Sequence, residues 1–426
     1  MNLTQDAKIC QVTEQTIVIG VDIASETHYA RAFDWRGIEL GNVFIFGNSA
    51  EGFQSFTNWF SELAARKGKT HVFVGAEPTG HYWFSLGVYL RDSGIKLVLV
   101  NPYHVKQSKE LDDNHPSKTD RKDPKTIAKL VIDGRYNEPY IPEGIYADLR
   151  IAMSCRWRIM GDLISTQNQI QRWLKIYFPE HKNVFGSFDC ISSLMILRIA
   201  PLPADVAALG ADGINAIWRG AKLRAVGLKR ATSLFLAAAD SIGCTDGSAA
   251  ARMELTLLLD DYETKLRQYD AVMTVVEELC NQIPEVAELV KIKGIGLVTV
   301  AGFLAEVGDI RRFNSPRQIQ KLAGLAIREN SSGKHKGRTS ISKRGRARLR
   351  AILFRASIAL AAKNQEFREI HRYYTTRANN PLKKKQSIIA MSCKLIRVFH
   401  SIATKGCAYD SKKLLADIHR NLQNAA

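Results

Sequence analysis

The sequence predicts an α/β domain at the N-terminus, long coiled-coil helices in the middle and a mostly α-helical C-terminal domain. Three observations predict it. β-rich runs crowd residues 16–48 and then alternate with helical patterns as far as residue 101, and strand signals stop after Pro142. Residues 145–178 and 255–283 then carry apolar side chains at helical spacings of three and four.

The first domain, 1–142, opens with TIVIGVDI, THYARAFDW and IELGNVFIF, separated by short polar or glycine-containing breaks. Runs of that kind make a strand meander. EGFQSFTNWFSELAARKG then has a helical pattern, HVFVGA (71–76) reads as a buried strand, HYWFSLGVYLRDSG as a helix and KLVLVN (96–101) as another buried strand. An antiparallel start followed by alternating helices and strands is the element order of an RNase H-like fold.

The middle region, 143–285, is helical. Leu149, Met153, Met160, Leu163, Ile170, Leu174 and Tyr177 form one ladder, with polar Arg156 and Gln167 on intervening rungs. Leu255, Leu259, Tyr262, Leu266, Tyr269, Met273, Val276, Cys280 and Ile283 form a second, unbroken one. Such spacing makes a coiled-coil seam but does not name its partner, so an antiparallel pair within the chain and a seam between copies both remain open. Residues 180–250 read as a small helical insert. The last domain, 286–426, begins VAELVKIKGIGLVTVAGFLAEVG, with Gly294 and Gly296 between two short helical patterns. A hairpin of this kind can offer backbone N–H groups to a nucleic-acid phosphate.

Composition narrows the partners. Sixty Lys+Arg against 42 Asp+Glu leave a formal charge of +18, which points to a polyanion, and a hydrophobic fraction of 46% excludes disorder as the source of that charge. No stretch approaches the roughly 20 uninterrupted apolar residues of a spanning helix, and the first residues lack a signal-peptide layout. A cytoplasmic protein without a membrane partner is expected. Seven scattered cysteines without a CxxC pair indicate neither a disulfide framework nor a zinc site, and read as buried thiols.

Asp22 ends the first strand (IGVDIA) and Glu77 the fourth (VGAEPTG), and in an RNase H-like sheet those strands are neighbours. In KTDRKDPKTIAKL, Asp120 and Asp123 stand three apart where a helical stretch opens, so both can lie on one face. Four converging carboxylates need a counter-charge, which Mg2+ or Mn2+ supplies through oxygen ligands. The opening IGVDIA also suits ATP-binding folds of the actin and sugar-kinase type, but no glycine-rich P-loop or later Asp-Gly-Gly signature accompanies it. Further on, residues 321–353 read KLAGLAIRENSSGKHKGRTSISKRGRARLRAIL: a polar turn with Ser331 and Ser332, a basic run, and a helix beginning near Arg344. Lys336, Arg338, Lys343, Arg344, Arg346, Arg348 and Arg350 are the candidate phosphate grip.

Taken together, GVDIA, GAEPTGHYW and KTDRKD, followed by KGIG, AGL and SSGKHKGRTSISKRGRARLR, resemble the DEDD-type transposases of the insertion-sequence one-ten family, including its eleven-eleven subgroup. The resemblance implies a RuvC-like N-terminal domain in which Asp22, Glu77, Asp120 and Asp123 bind divalent metal. It implies a C-terminal transposase domain in which a serine of the SSG turn, Ser332 with Ser331 as the alternative, attacks DNA and becomes joined to it. It also implies double-stranded donor and target DNA, a structured guide RNA from the element's own non-coding end, assembly as dimers and tetramers, and a place on the nucleoid. The rival readings are a metal-dependent hydrolytic nuclease resembling junction resolvases and a non-catalytic architectural protein.

Overall fold

The computed structural model describes residues 4–78, 80–112, 123–328, 331, 332, 335–337 and 339–416, with the backbone alone at 109–112, 331, 332, 335 and 336. The chain divides into two compact units, Met1–Glu143 and Gly144–Ala426.

The first unit is a mixed α/β domain. After a short helix α1 (Gln5–Ile9) come strands β1 (Thr16–Asp22), β2 (Thr27–Phe33) and β3 (Phe44–Gly47), helix α2 (Ala50–Arg66), β4 (His71–Ala76), α3 (Trp83–Asp92), β5 (Lys96–Val100), α4 (Pro102–Asp112), α5 (Asp123–Ile132) and β6 (Tyr136–Asn137). The sheet order is β3-β2-β1-β4-β5-β6. β1 pairs antiparallel with β2 and parallel with β4, and β4 runs parallel to β5. β1 is central and covered on both faces, so all of Thr16–Val21 is buried, which explains why it reads as a continuous apolar run without alternation. Two cores follow from that double covering. Ile17, Ile19 and Val21 pack with Phe53, Phe56 and Phe60 of α2 and Leu86 and Leu90 of α3, whereas Val18, Phe73 and Val98 pack with Ile127, Ala128 and Val131 of α5.

The second unit is built on two long helices, α6 (Gly144–Tyr177) and α11 (Ser248–Asn281). They pair with each other in antiparallel sense. Trp173 near the end of α6 donates its indole N–H to the Ala251 carbonyl near the start of α11 (2.9 Å), and Arg156 reaches Tyr269 (3.1 Å to the hydroxyl, 5.2 Å to the ring centre). This explains the polar rung at Arg156: its charge is met by a π face and a phenol inside the seam. Between them, α7 (His181–Phe185), α8 (Ile191–Ile199), α9 (Pro203–Gly220) and α10 (Leu228–Ala239) form the insert, whose Trp218 and Leu234 share a core with Trp173, Leu255 and Leu259.

His181 is buried there, with Nε2 2.9 Å from the Ser193 hydroxyl, and desolvation lowers its pKa to about 4. The unfolded chain therefore takes up this proton first, near pH 6.5, and stability falls as pH drops from there toward 4. A lower melting temperature at pH 5 than at pH 7.5 that is relieved by His181→Gln is the expected result; equal pH dependence in the two proteins would contradict it.

Helices α12 (Pro284–Leu289), α13 (Leu297–Val307), α14 (Pro316–Leu322), α15 (Ala347–Lys363), α16 (Gln365–Thr376) and α17 (Lys384–Lys405) complete the unit, with two-residue strands β7 (Ile327–Arg328), β8 (Ser331–Ser332), β9 (His335–Lys336) and β10 (Ser340–Ile341) between α14 and α15. Leu149 and Met153 of α6, Val276 and Cys280 of α11, Phe303 and Leu304 of α13, and Leu353 of α15 join one core. α17 is long and apolar enough to cross a membrane by length and composition, yet its Met391, Leu395, Ile396 and Phe399 are fully buried in that same core. The cysteine expectation needs correcting: all seven are free, but only Cys280 is buried, and Cys10 and Cys244 are exposed. A small side chain gains little from burial, so composition alone could not place them.

Candidate active site

Strand alternation assigns the carboxylates to a face. Asp22 is in phase with Val18 and Gly20, on the side of the sheet that α5 covers, and Glu77 is the first residue after Ala76, where β4 ends. β1 and β4 are parallel, with Gly20 opposite Gly75 and Val21 opposite Ala76. That pairing ends at Val21 and Ala76, each followed directly by a carboxylate, Asp22 and Glu77.

The two facing glycines decide where α5 goes. A Cβ on Gly20 would lie 1.8 Å from the Pro124 carbonyl oxygen and 2.9 Å from the Ala128 nitrogen, and one on Gly75 would lie 2.5 Å from a Val131 methyl. The backbone of α5 thus rests directly on the sheet. Because Pro124 touches Gly20, Asp123, the first residue of α5, is brought to the end of the sheet that carries Asp22 and Glu77. All three are half-buried, and none stands without a partner. Asp120 lies outside the described residues. Among the described residues no three His, Cys, Asp or Glu side chains stand close enough together to hold a metal ion. The side chains of Asp22, Glu77 and Asp123 nonetheless all offer carboxylate oxygens, the chemistry that suits a hard divalent cation.

The glycines that seat α5 are positions that motif spacing did not single out. Their signal was present as Gly-x-Asp at 20–22 and Gly-x-Glu at 75–77, one glycine two residues before each carboxylate. Gly20→Ala must push α5 off the sheet, an overpacking that costs about 1–3 kcal/mol and displaces Asp123. A lowered melting temperature together with weakened Mn2+ binding by calorimetry is expected; a wild-type melting temperature would rule out the direct seating of α5.

In the second unit, α12 and α13 flank the glycine hairpin, with Gly294 at φ +100° against Leu360 of α15 and Gly296 capping α13. The serine segment is a β-hairpin where a polar turn was expected. Ser331 pairs with Lys336 and Ser332 with His335, while Ile327–Arg328 pairs with Ser340–Ile341 nearer the root. Strands of two residues leave no alternation to read. The side chains of Ser332 and Lys336, and the whole of Arg338, lie outside what is described. Of the remaining basic candidates, Lys343 and Arg344 are exposed in the segment leading to α15, which begins at Ala347 with Arg346 as its N-cap. The others have protein partners: Arg346 bonds the Glu306 backbone carbonyl, Arg348 stacks on Trp157 (4.8 Å) and reaches the Ser154 hydroxyl (3.4 Å), and Arg350 donates to the Ala323 carbonyl (3.0 Å). Burial lifts the Glu306 carboxyl above its ordinary range, against the pull of Arg150 and Arg348.

Residues 19–179 match a family described as Transposase, of the DEDD type named for IS110, and residues 286–372 match one described as Transposase IS116/IS110/IS902 family. The first match includes Asp22, Glu77, Asp120 and Asp123, and the second includes Gly294, Gly296, the serine hairpin and the basic run. The Insertion element IS110 uncharacterized 43.6 kDa protein of Streptomyces coelicolor is 21% identical over 93% of this chain and 96% of its own. The Transposase for insertion sequence element IS1111A of Coxiella burnetii is 33% identical over 24% of this chain, so the match spans only a quarter (25%) of that relative's length. The Pilin gene-inverting protein of Moraxella bovis is 28% identical over 32% of this chain and 43% of its own. With both family matches falling on the units that carry the carboxylates and the serine hairpin, this chain belongs to the IS116/IS110/IS902 family of transposases.

Proposed function

We propose that this protein is a DNA transposase that cuts and rejoins strands through a covalent phosphoserine intermediate. The observation that supports the reading is the parallel pairing of β1 and β4, which end at or just before Asp22 and Glu77, with the start of α5 seated on Gly20, in a chain that also carries a serine hairpin beside exposed basic residues. The strand order β3-β2-β1-β4-β5 supports an RNase H-like, RuvC-like assignment for the first unit. A relative named for gene inversion supports rejoining as well as cutting.

In this reading Asp22, Glu77, Asp120 and Asp123 hold Mg2+ or Mn2+, which when bound polarises the scissile phosphate and offsets charge developing on it. The Ser332 oxygen forms a bond to phosphorus as the bond to a deoxyribose oxygen breaks, and that oxygen leaves with a proton as a free hydroxyl. A second strand's hydroxyl later attacks the phosphoserine, re-forming a phosphodiester and releasing the serine. One diester is exchanged for another, so no ATP is consumed. Donor and target DNA, a structured guide RNA, assembly as dimers and tetramers, and a cytoplasmic place on the nucleoid complete the proposal.

The test is incubation of the purified protein with Mg2+, the element's RNA and junction DNA, followed by a denaturing gel. A protein–DNA adduct is expected. Cleavage with no adduct would favour the hydrolytic reading, and binding with neither would leave an architectural protein. In the same proposal Lys343 and Arg344 neutralise phosphates. Their double alanine variant should flatten the salt dependence of duplex binding by about 0.9 in logarithmic slope for each phosphate no longer neutralised, and an unchanged slope would remove them from the interface.

A further inference from the structure

The root of the serine hairpin is a closed crossing of two segments, Leu322–Ala326 on the way in and Ser342–Arg346 on the way out. Three backbone hydrogen bonds join them: Ser342 N–H to the Ala326 carbonyl (2.8 Å), Lys343 N–H to Gly324 (3.0 Å) and Arg346 N–H to Leu322 (2.7 Å). The crossing depends on two glycines. A Cβ on Gly345 would stand 2.4 Å from the Leu322 carbonyl oxygen and 2.6 Å from the Gly324 nitrogen, and Gly324 itself adopts φ +68°. Two guanidinium groups then bind the crossing to the helices around it. Arg350, on α15, donates from one Nη to both the Ala323 carbonyl (3.0 Å) and the Lys343 carbonyl (3.3 Å), so it spans the incoming and outgoing segments. Arg346 donates to the Glu306 backbone carbonyl, with the Glu306 carboxylate 3.5 Å away, and so ties the outgoing segment to the end of α13.

We propose that Arg346 and Arg350 are positioning residues that clasp the root of the serine hairpin, and that at this root the phosphate grip falls to Lys343 and Arg344 and not to them. The proposal rests on the phosphoserine reading for its catalytic consequence, though not for the clasp itself. A guanidinium presents a fixed fork of donors, which suits it to several carbonyls at once. Two carbonyl-bonded arginines at the root hold the hairpin's exit angle, and a nucleophile displaced by about 1 Å loses about a hundredfold in rate.

Three measurements on the full-length protein separate clasp from grip: amide hydrogen exchange at Ser342, Lys343 and Arg346, the salt slope for a fluorescent duplex of arbitrary sequence, and the rate of adduct formation. Arg346→Ala and Arg350→Ala should speed exchange at the root and slow adduct formation about a hundredfold, with salt slope and DNA affinity unchanged. Arg344→Ala should do the reverse, flattening the slope with exchange unchanged. Arg346→Lys keeps a cationic donor without the guanidinium's fixed fork and should recover part of both the protection and the rate; it also reads the clasp if Arg346→Ala fails to fold. A slope flattened by about one unit in Arg346→Ala with unchanged exchange would overturn the proposal. Should the wild type form no adduct, the phosphoserine reading falls, while exchange and salt slope still decide the clasp.

Discussion

Ser332→Ala is expected to bind duplex DNA and RNA as the wild type does and to form no detectable covalent adduct. Alanine removes one hydroxyl oxygen from a segment whose hydrogen-bonded register, Ser331 with Lys336 and Ser332 with His335, is made by the backbone and does not need that oxygen. The loss would therefore fall on chemistry, because no other atom of that residue can form the bond to phosphorus. Ser331→Ala should retain substantial activity. Peptide mapping of the trapped adduct checks the assignment. Phosphate on Ser331 would move the nucleophile by one residue, and cleavage by the double alanine variant would leave the hydrolytic mechanism standing.

Asp22→Ala should lower strand cleavage by about a thousandfold, since the electrostatic stabilisation that bound metal gives a phosphoryl transition state is several kcal/mol and each 1.36 kcal/mol is a factor of ten. Asp22 is the last residue of the central strand, and the buried run Thr16–Val21 holds its backbone whatever its side chain. The variant should consequently melt near the wild-type temperature, while Mn2+ binding measured by calorimetry is weakened. Glu77→Ala and Asp123→Ala should behave alike, because register and the seat of α5 bring them to the same end of the sheet. Two such variants with full cleavage would dissolve the proposed metal site.

Much of this fold was legible because its signals are local and repeated. β1, β4 and β5 read as buried strands from short apolar runs bounded by polar residues, and α6 and α11 from long ladders of apolar side chains. The hairpin carrying Ser332 was not legible, since its paired segments are two residues long and those nearest its tip, Ser331–Ser332 and His335–Lys336, are wholly polar. α15 begins at Ala347, three residues later than the basic pattern suggested, because Lys343 adopts a left-handed backbone (φ +55°) and Gly345 is needed for the crossing with Gly324. The carboxylates could be named from their motifs, but what seats the start of α5, which Asp123 opens, against the sheet is the pair Gly20 and Gly75.

Features written in neighbouring residues can be read before the chain is folded: a mixed α/β unit followed by helices, an excess of positive charge for a polyanion, and a carboxylate at the end of the first strand. Pairings between distant residues cannot. The seam of α6 is filled by α11 of the same chain, α5 lies in a glycine trough formed by two strands some 55 positions apart (Gly20 and Gly75), and Arg346 and Arg350 spend donors on backbone carbonyls. One cause underlies all three. A heptad ladder, a glycine or an arginine states what kind of surface it needs, and that need can be met by any helix, backbone or anion of suitable shape until the folded chain brings one of them within reach.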